Sequence, residues 1–426
     1  MNSNKNIVVY GSGFAALLIS CNLVDKGHTV SLVSPKKSIG GILNPLTIFE
    51  DRVDIGPQFM ENLNSDEKNL LERYIDKDQY RDIGLSYGSF YNGNYSSDFG
   101  IPDLTDLPEA KKKDLLDANV NFLKINPADL TLKELLNLKY GSLSNDFIKL
   151  SEKFLVNDVN NLASNNYNYL EFGGRIRIYD DEISKKLKKD PVKDKIIAVS
   201  REIFSDNSFS LYPRKGPLGQ LIESMLSYLI KNNAEIIKDN FLISTKDSFV
   251  SFGDKKSKYD LLFIASDHLS FMEDREIYSL DRPCLFHYLN LDSKPDISHY
   301  YYMNYDLDMI HTRATNYFNY HNSSNNNKFI CIEQPVTKIK MDKETIEAFQ
   351  KKAISEYEDI FEQKLSIIDA KSVFTPKTFP LWKPNAINEI TENLKQVISN
   401  NTNIISLPIL AAQRSDALRF VLDLDL

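Results

Sequence analysis

The sequence predicts an α/β fold: a doubly wound, Rossmann-like nucleotide domain interrupted by a discontinuous α+β substrate domain. Residues Ile7 to Leu32 (IVVYGSGFAALLISCNLVDKGHTVSL) read as an apolar strand, a glycine turn, an apolar helix and a second strand. Far downstream, Tyr259 to Ser266 reads as another buried strand, preceded by a helix over Gln220 to Lys231. The two long stretches that separate these pieces follow other periodicities. Residues 62–207 read as mostly helical, with periodic leucines over 105–160, and residues 278–377 open with aromatic-rich strand candidates.

In the first unit, Ile7 to Tyr10 form the strand. Gly11 makes the tight turn, Gly13 admits a phosphate to the backbone, and Ala16 lets helix and sheet pack closely; Ser12, Phe14 and Ala15 complete the turn. Thr29 to Val33 is the second strand. An NAD site would follow it with an acid for the ribose hydroxyls, but Ser34 stands there, then Pro35, Lys36 and Lys37. A neutral hydroxyl beside ammonium groups tolerates a 2′-phosphate, so at this point an NADP reading stays open. Gly40 and Gly41 supply a second close backbone approach. Val53 to Gln58 reads as a short strand entering a tight turn at Gly56, Pro57 and Gln58, and these contacts together suggest a long ligand extended across the sheet.

The runs GSGFAA, SPKKSIGG and DIGPQF together resemble the N-terminus of the two-dinucleotide-binding-domain flavoproteins: amine oxidases, protoporphyrinogen oxidases, phytoene desaturases and UDP-galactopyranose mutases. The spacing to the paired glycines is that of these families, although they usually place glutamate where Ser34 stands. The resemblance therefore implies FAD rather than NADP. Leu211 to Gly219 resembles the proline-glycine segment beside the flavin and brings Arg214 and Gly216 into the implied site. Tyr259 to Ser266 resembles the closing strand and brings Ala265 and Ser266. The C-terminus departs from the pattern: Ser406 to Pro408 lacks the glycine and charge expected near the ribityl chain, and Arg414, with Ser415 and Asp416, opens the final helix in their stead. The implied FAD domain comprises 1–61, 208–277 and 378–426. The insertions are a helical cap over 62–207 and an antiparallel sheet over 278–377.

Several segments resemble the mutase branch in particular. Thr131 to Leu162 resembles its cleft helices, Arg175-Ile176-Arg177 falls where it carries arginines, and His311 to Tyr317 with Phe329 to Pro335 resembles its arginine-bearing strand pair. A guanidinium offers a planar fork to carboxylate or pyrophosphate and stays charged when partly buried, so Arg313, then Arg175 and Arg177, are the catalytic candidates. The competing reading for each is an ion pair with no role in chemistry. His311 is carried because it neighbours Arg313, against the alternative of a sheet residue facing solvent. Trp382, between Pro380 and Pro384, is expected to pack.

The totals narrow the function classes. At 426 residues and 42% hydrophobic content the chain buries a large core, and 51 basic against 59 acidic residues, net -8, leave no electrostatic footprint for nucleic acid. The six histidines form no HxxxH or HxH pair, and Cys21, Cys284 and Cys331 form no ligand spacing, so no metal is expected. A strand starting by Ile7 leaves no space for a signal peptide and no apolar run reaches spanning length; the expectation is a cytoplasmic protein with no membrane span. The sequence thus points to an FAD-dependent oxidoreductase, amine oxidase-like, that acts on a small organic or nucleotide-linked substrate by hydride transfer to flavin N5. The alternatives are a mutase-like isomerase of a nucleotide sugar and, motivated by Ser34 and Ser406 to Pro408, a binding protein that kept the fold without the chemistry. The sequence leaves the oligomeric state open.

Overall fold

A computed structural model describes residues 4–34, 38–84, 86–97, 99–200, 209–238, 241–244, 249–252, 255–265, 275–320, 328–337, 341–399, 403–407 and 414–424. The chain divides into two compact units, one formed by Met1–Gly84, Asn207–Arg275 and Ile387–Leu426, the other by Leu85–Asp206 and Glu276–Ala386. Pro35, Lys36, Ser266 and most of the polar run after Asn319 lie outside the described residues.

Unit 1 is built on a five-stranded sheet. Its order is Glu235–Lys238, Thr29–Ser34 (β2), Asn6–Tyr10 (β1), Leu261–Ile264 and Ile404–Ser406, and every pairing is parallel. Ile7 lies between Val30 and Leu261 in register. Both faces of the central strands are covered, so their residues are apolar without alternation. The helix Phe14–Asp25 (α1) is buried at nine of its twelve positions, because it packs on β2 and also against helices Gln220–Lys231 and Arg414–Leu422. Val8, Tyr10, Val33, Leu262, Ile264 and Ile404 form the core on the sheet. Residues 62–84, read from the sequence as part of the first insertion, belong to this unit. Strand Phe209–Pro213 pairs antiparallel with both Met60–Leu63 and Tyr80–Asp82.

Unit 2 carries a seven-stranded sheet: Ile367–Thr375, Cys284–Leu291, Phe329–Pro335, Arg313–Asn316, Tyr301–Asn304, Tyr87–Tyr91 and Asn94–Ser96. Antiparallel pairing over 278–377 is present, but the sheet as a whole is mixed. Tyr301–Asn304 runs parallel to Tyr87–Tyr91, which the first insertion contributes. Helix Lys343–Ile360 lays Ala353 and Tyr357 on one face of this sheet, against Tyr302, Ala314, Ile330 and Ile332. Helices Leu132–Tyr140 and Ser144–Leu155 follow the leucine pattern of 131–162. The first opens on a capping box in which Glu134 bonds the Thr131 amide and Thr131 Oγ1 accepts from the Glu134 amide. Tyr140 and Phe147 stack with ring centroids 3.6 Å apart. All three cysteines are buried and none forms a disulfide. Among the described residues, no helix is long and apolar enough to cross a membrane, and no group of three or more His, Cys, Asp or Glu could hold a metal ion.

Candidate cofactor turn and charged sheet

In unit 1 the glycine turn is shaped by the main chain. The Gly11 amide donates to Val33 O at 2.9 Å, with φ at +154°, and the Ala265 amide returns a bond to Tyr10 O at 2.8 Å. A Cβ on Gly11 would lie 2.4 Å from Ala265 O and 2.8 Å from the Ala16 Cβ, so only glycine fits where β1 meets the closing strand and α1. Gly13 caps α1 in extended conformation. No side chain caps this helix and its first turn holds no acid. A Cβ on Gly13 would meet nothing within 4 Å, so the space beside the helix N-terminus can take a ligand group. Amides with a helix dipole behind them suit an anion.

The second glycine pair closes on this turn. The Gly40 amide donates to Ser12 O at 2.6 Å, and a Cβ on Gly41 would lie 3.4 Å from the Gly13 Cα. Gly40 and Gly41 both take positive φ, 133° and 59°. Ser34 is buried at the end of β2, in register with Lys238 on the neighbouring strand. The ends of these two strands thus carry a hydroxyl and an ammonium rather than a carboxylate. Gly56 (φ +63°), Pro57 and Gln58 form the expected turn, with Gln58 Nε2 donating to Ile55 O at 2.8 Å. Arg414 supports the turn directly, its Nη1 donating to Phe59 O at 2.8 Å and its Nη2 to Gln58 Oε1. Arg214 is exposed and donates from Nε to Asp78 O at 3.0 Å, while Gly216 turns the chain at φ +71°.

In unit 2 the four catalytic candidates do not gather. Arg313 donates to Glu333 Oε2 from Nε at 3.0 Å and from Nη2 at 2.6 Å, and its Nη1 lies 3.8 Å from Glu171. Arg282 approaches the other oxygen of Glu333 at 3.4 Å. Burial pushes the Glu333 carboxyl up, but Arg313 and Arg282 outweigh it and hold the group below its ordinary value. Glu171 keeps 42% of its side chain exposed. Arg313 keeps 25% of its side chain exposed, whereas Glu333 keeps 6%.

His311 lies two residues away but serves the opposite sheet face. Its Nδ1 meets Glu356 of helix Lys343–Ile360 at 2.7 Å and its Nε2 meets the Tyr302 hydroxyl at 2.6 Å. It is neither solvent-facing nor open to a ligand, since it is fully buried with both ring nitrogens engaged. Burial lowers its pKa despite the Glu356 contact. Arg177 is held by Asp103 at 2.9 Å and Asp181 at 3.4 Å and stacks on Phe99, while Arg175 is exposed. Arg177 and Arg313 therefore belong to separate networks. Trp382 packs as expected, its amide donating to Asn166 Oδ1 at 2.8 Å.

Sequence reasoning missed Glu333, Arg282 and Glu171. Glu333 had a signal, a lone acid inside the apolar strand FICIEQP, which is the mark of a buried paired charge.

No family model and no curated protein sequence matches the chain. Solved structures do match in fold. A reduced UDP-galactopyranose mutase superposes with a TM-score of 0.70 at 11% identity, covering 99% of this chain and 93% of that one. A protoporphyrinogen oxidase-like protein from Exiguobacterium sp. 255-15 gives 0.62 at 14% identity, covering 99% and 100%. A putrescine oxidase with putrescine bound gives 0.60 at 11% identity, covering 98% and 97%. The chain has the fold of the flavoprotein group that contains the amine oxidases, protoporphyrinogen oxidases and UDP-galactopyranose mutases. Within that group its structural neighbours include both oxidoreductases and a mutase.

Proposed function

We propose that the chain is an FAD-dependent oxidoreductase acting on a small organic or nucleotide-linked substrate. The observation that carries this reading is the uncapped, acid-free N-terminus of α1, with open space at Gly13 and a second glycine loop closed onto it. These residues fit a dinucleotide. Gly11 to Ala16 would hold the diphosphate on backbone amides, and Gly40 and Gly41 would let the ligand pass close to the main chain. Ser34 would border the ribose. Gly56 to Gln58, steadied by Arg414, would border the remainder of the ligand, with Arg214, Gly216 and Ala265 flanking it. When bound, FAD would supply the hydride acceptor.

The chain's own part is orientation. Glu333 holds Arg313 by Nε and Nη2 and Glu171 lies 3.8 Å from Nη1, so an anionic substrate group would meet the guanidinium on its Nη1 side in place of Glu171. His311, Arg175 and Arg177 are left out of this role by their positions. An absorbance scan of the purified protein, with chromatography of the released cofactor, tests the reading. Flavin bands and released FAD are expected; protein that stays colourless after incubation with FAD overturns it and favours a binding protein without flavin chemistry.

The mutase alternative is favoured by one observation, the higher TM-score of the mutase among the three neighbours described. Turnover that requires prior reduction yet consumes no stoichiometric reductant supports the isomerase. Steady consumption of oxygen or another acceptor supports the oxidoreductase.

A further inference from the structure

Asp54 is 2% exposed and lies just after strand Asp51–Val53, within unit 1. Its Oδ2 accepts from the Tyr212 hydroxyl at 2.7 Å and from the Leu218 amide at 2.9 Å. The Gly219 amide and the Arg414 guanidinium add favourable interactions with the same carboxyl. A buried carboxylate surrounded by donors on three chain segments fixes those segments relative to one another, because charge-assisted bonds are strong and leaving them unmade is costly.

The segment it fixes leans on the second glycine loop. A Cβ on Gly219 would lie 2.6 Å from Leu43 O and 2.7 Å from the Pro45 Cδ, so the backbone at Gly219 is in direct contact with 43–45. The same loop begins with the Gly40 amide bonded to Ser12 O and Gly41 seated beside the Gly13 Cα. A continuous path of close contacts thus runs from Asp54 through Leu218 and Gly219 to Leu43 and Pro45, and on to the Gly11–Gly13 turn.

We propose that Asp54 is a positioning residue for the dinucleotide site: it fixes the Leu218–Gly219 backbone, which presses the 40–45 loop onto the first glycine turn. The proposal rests on the FAD reading above. Asp54 touches neither glycine turn; it acts through the proline-glycine segment. Arg414, which steadies the Gly56–Gln58 turn, faces the same carboxyl, so one acid ties both turns together.

Asp54→Asn is the direct test. The amide oxygen can still accept from Tyr212 and Leu218, but the negative charge that strengthens those bonds and attracts Arg414 is gone. FAD affinity, read by titration into the apo protein, is expected to fall about tenfold to a hundredfold. Backbone amide exchange in the apo variant is expected to quicken over 40–45 and 216–220, with protection of β1 and of the unit 2 sheet unchanged. Tyr212→Phe removes one donor and keeps the carboxylate; it should weaken FAD by about three- to tenfold and guards against a poorly folded Asn variant. Unchanged FAD affinity in both variants overturns the proposal, as does exchange that quickens uniformly over both units, which would make Asp54 a support of the fold at large. Wild-type protein that binds no FAD overturns the cofactor reading, and the proposal with it.

Discussion

At the head of α1 the polar groups on offer are main-chain amides, with no side-chain cap and no acid in the first turn. On the unit 2 sheet, by contrast, Arg313 and Arg282 both reach Glu333 within 4 Å, and His311 reaches Glu356 at 2.7 Å. The first region is arranged to receive a charge from outside. The second neutralises its charges internally, with Glu333 and Glu171 both beside Arg313. Backbone recognition needs closeness, which glycine supplies at fixed local spacing; charge pairing in a buried sheet needs partners from separate strands, because an unpaired buried ion is expensive.

The comparison breaks most decisively at Gly13→Asp. The new side chain enters open space, so the fold is retained, and a carboxylate at an N-cap of this geometry is itself favourable. Complete loss of flavin with undiminished resistance to urea is the expected outcome, measured by absorbance and denaturation on the same sample; normal flavin content contradicts the assignment. Glu333→Gln probes the other region. It leaves Arg313 and Arg282 without their shared carboxylate and should cost about 3–5 kcal/mol in unfolding free energy. A loss below ~1 kcal/mol would mean that other groups meet those arginines.

Asp54 is the buried carboxylate of the glycine-built region, and pH sharpens its case. Burial raises it to about 6 against the bonds from the Leu218 and Gly219 amides, Tyr212 and the charge of Arg414. A carboxyl raised on folding favours the folded state most when protonated. Its contribution is therefore complete below the ordinary value near ~4 and is lost as pH rises through about 6. The stability of wild type relative to Asp54→Asn should thus decline by up to ~3 kcal/mol between pH 4 and 7, read from denaturation curves at each pH. A flat difference would show the carboxyl to be ionised throughout. The smallest effect belongs to Thr131→Ala, which removes one half of the capping box on helix Leu132–Tyr140 and should cost ~1 kcal/mol without altering flavin content.

The same contrast explains what could be read in advance. The β1–α1–β2 unit, the glycine pair and the strand before Ala265 follow from adjacent residues, since turns, strand runs and close approaches are written locally. The helices over 131–162 were legible for the same reason, through their leucine spacing. The parallel pairing of Tyr301–Asn304 with Tyr87–Tyr91 was not, because it joins segments from separate insertions. Nor was the divergence of His311 and Arg313. Residues two apart on a regular strand share a face, but His311 lies just before strand Arg313–Asn316, where the chain has not yet entered the pleat. Arg282 and Glu171 were illegible as partners because nothing local marks them, and Asp54 was hidden in a motif read for its glycine and proline.

The interleaving of the two units bears on the order in which the protein can be made. Strand Leu261–Ile264 acquires its outer neighbour, Ile404–Ser406, only after the whole of Glu276–Ala386 has been made, so a growing chain carries an exposed apolar sheet margin while that segment emerges. Ribosome-bound chains halted before Ile387 should accordingly be caught by chaperones and open to proteases at the first unit, and resistance there would refute this. If the chain takes up FAD as proposed, uptake would wait until Ile404–Ser406 has closed that margin.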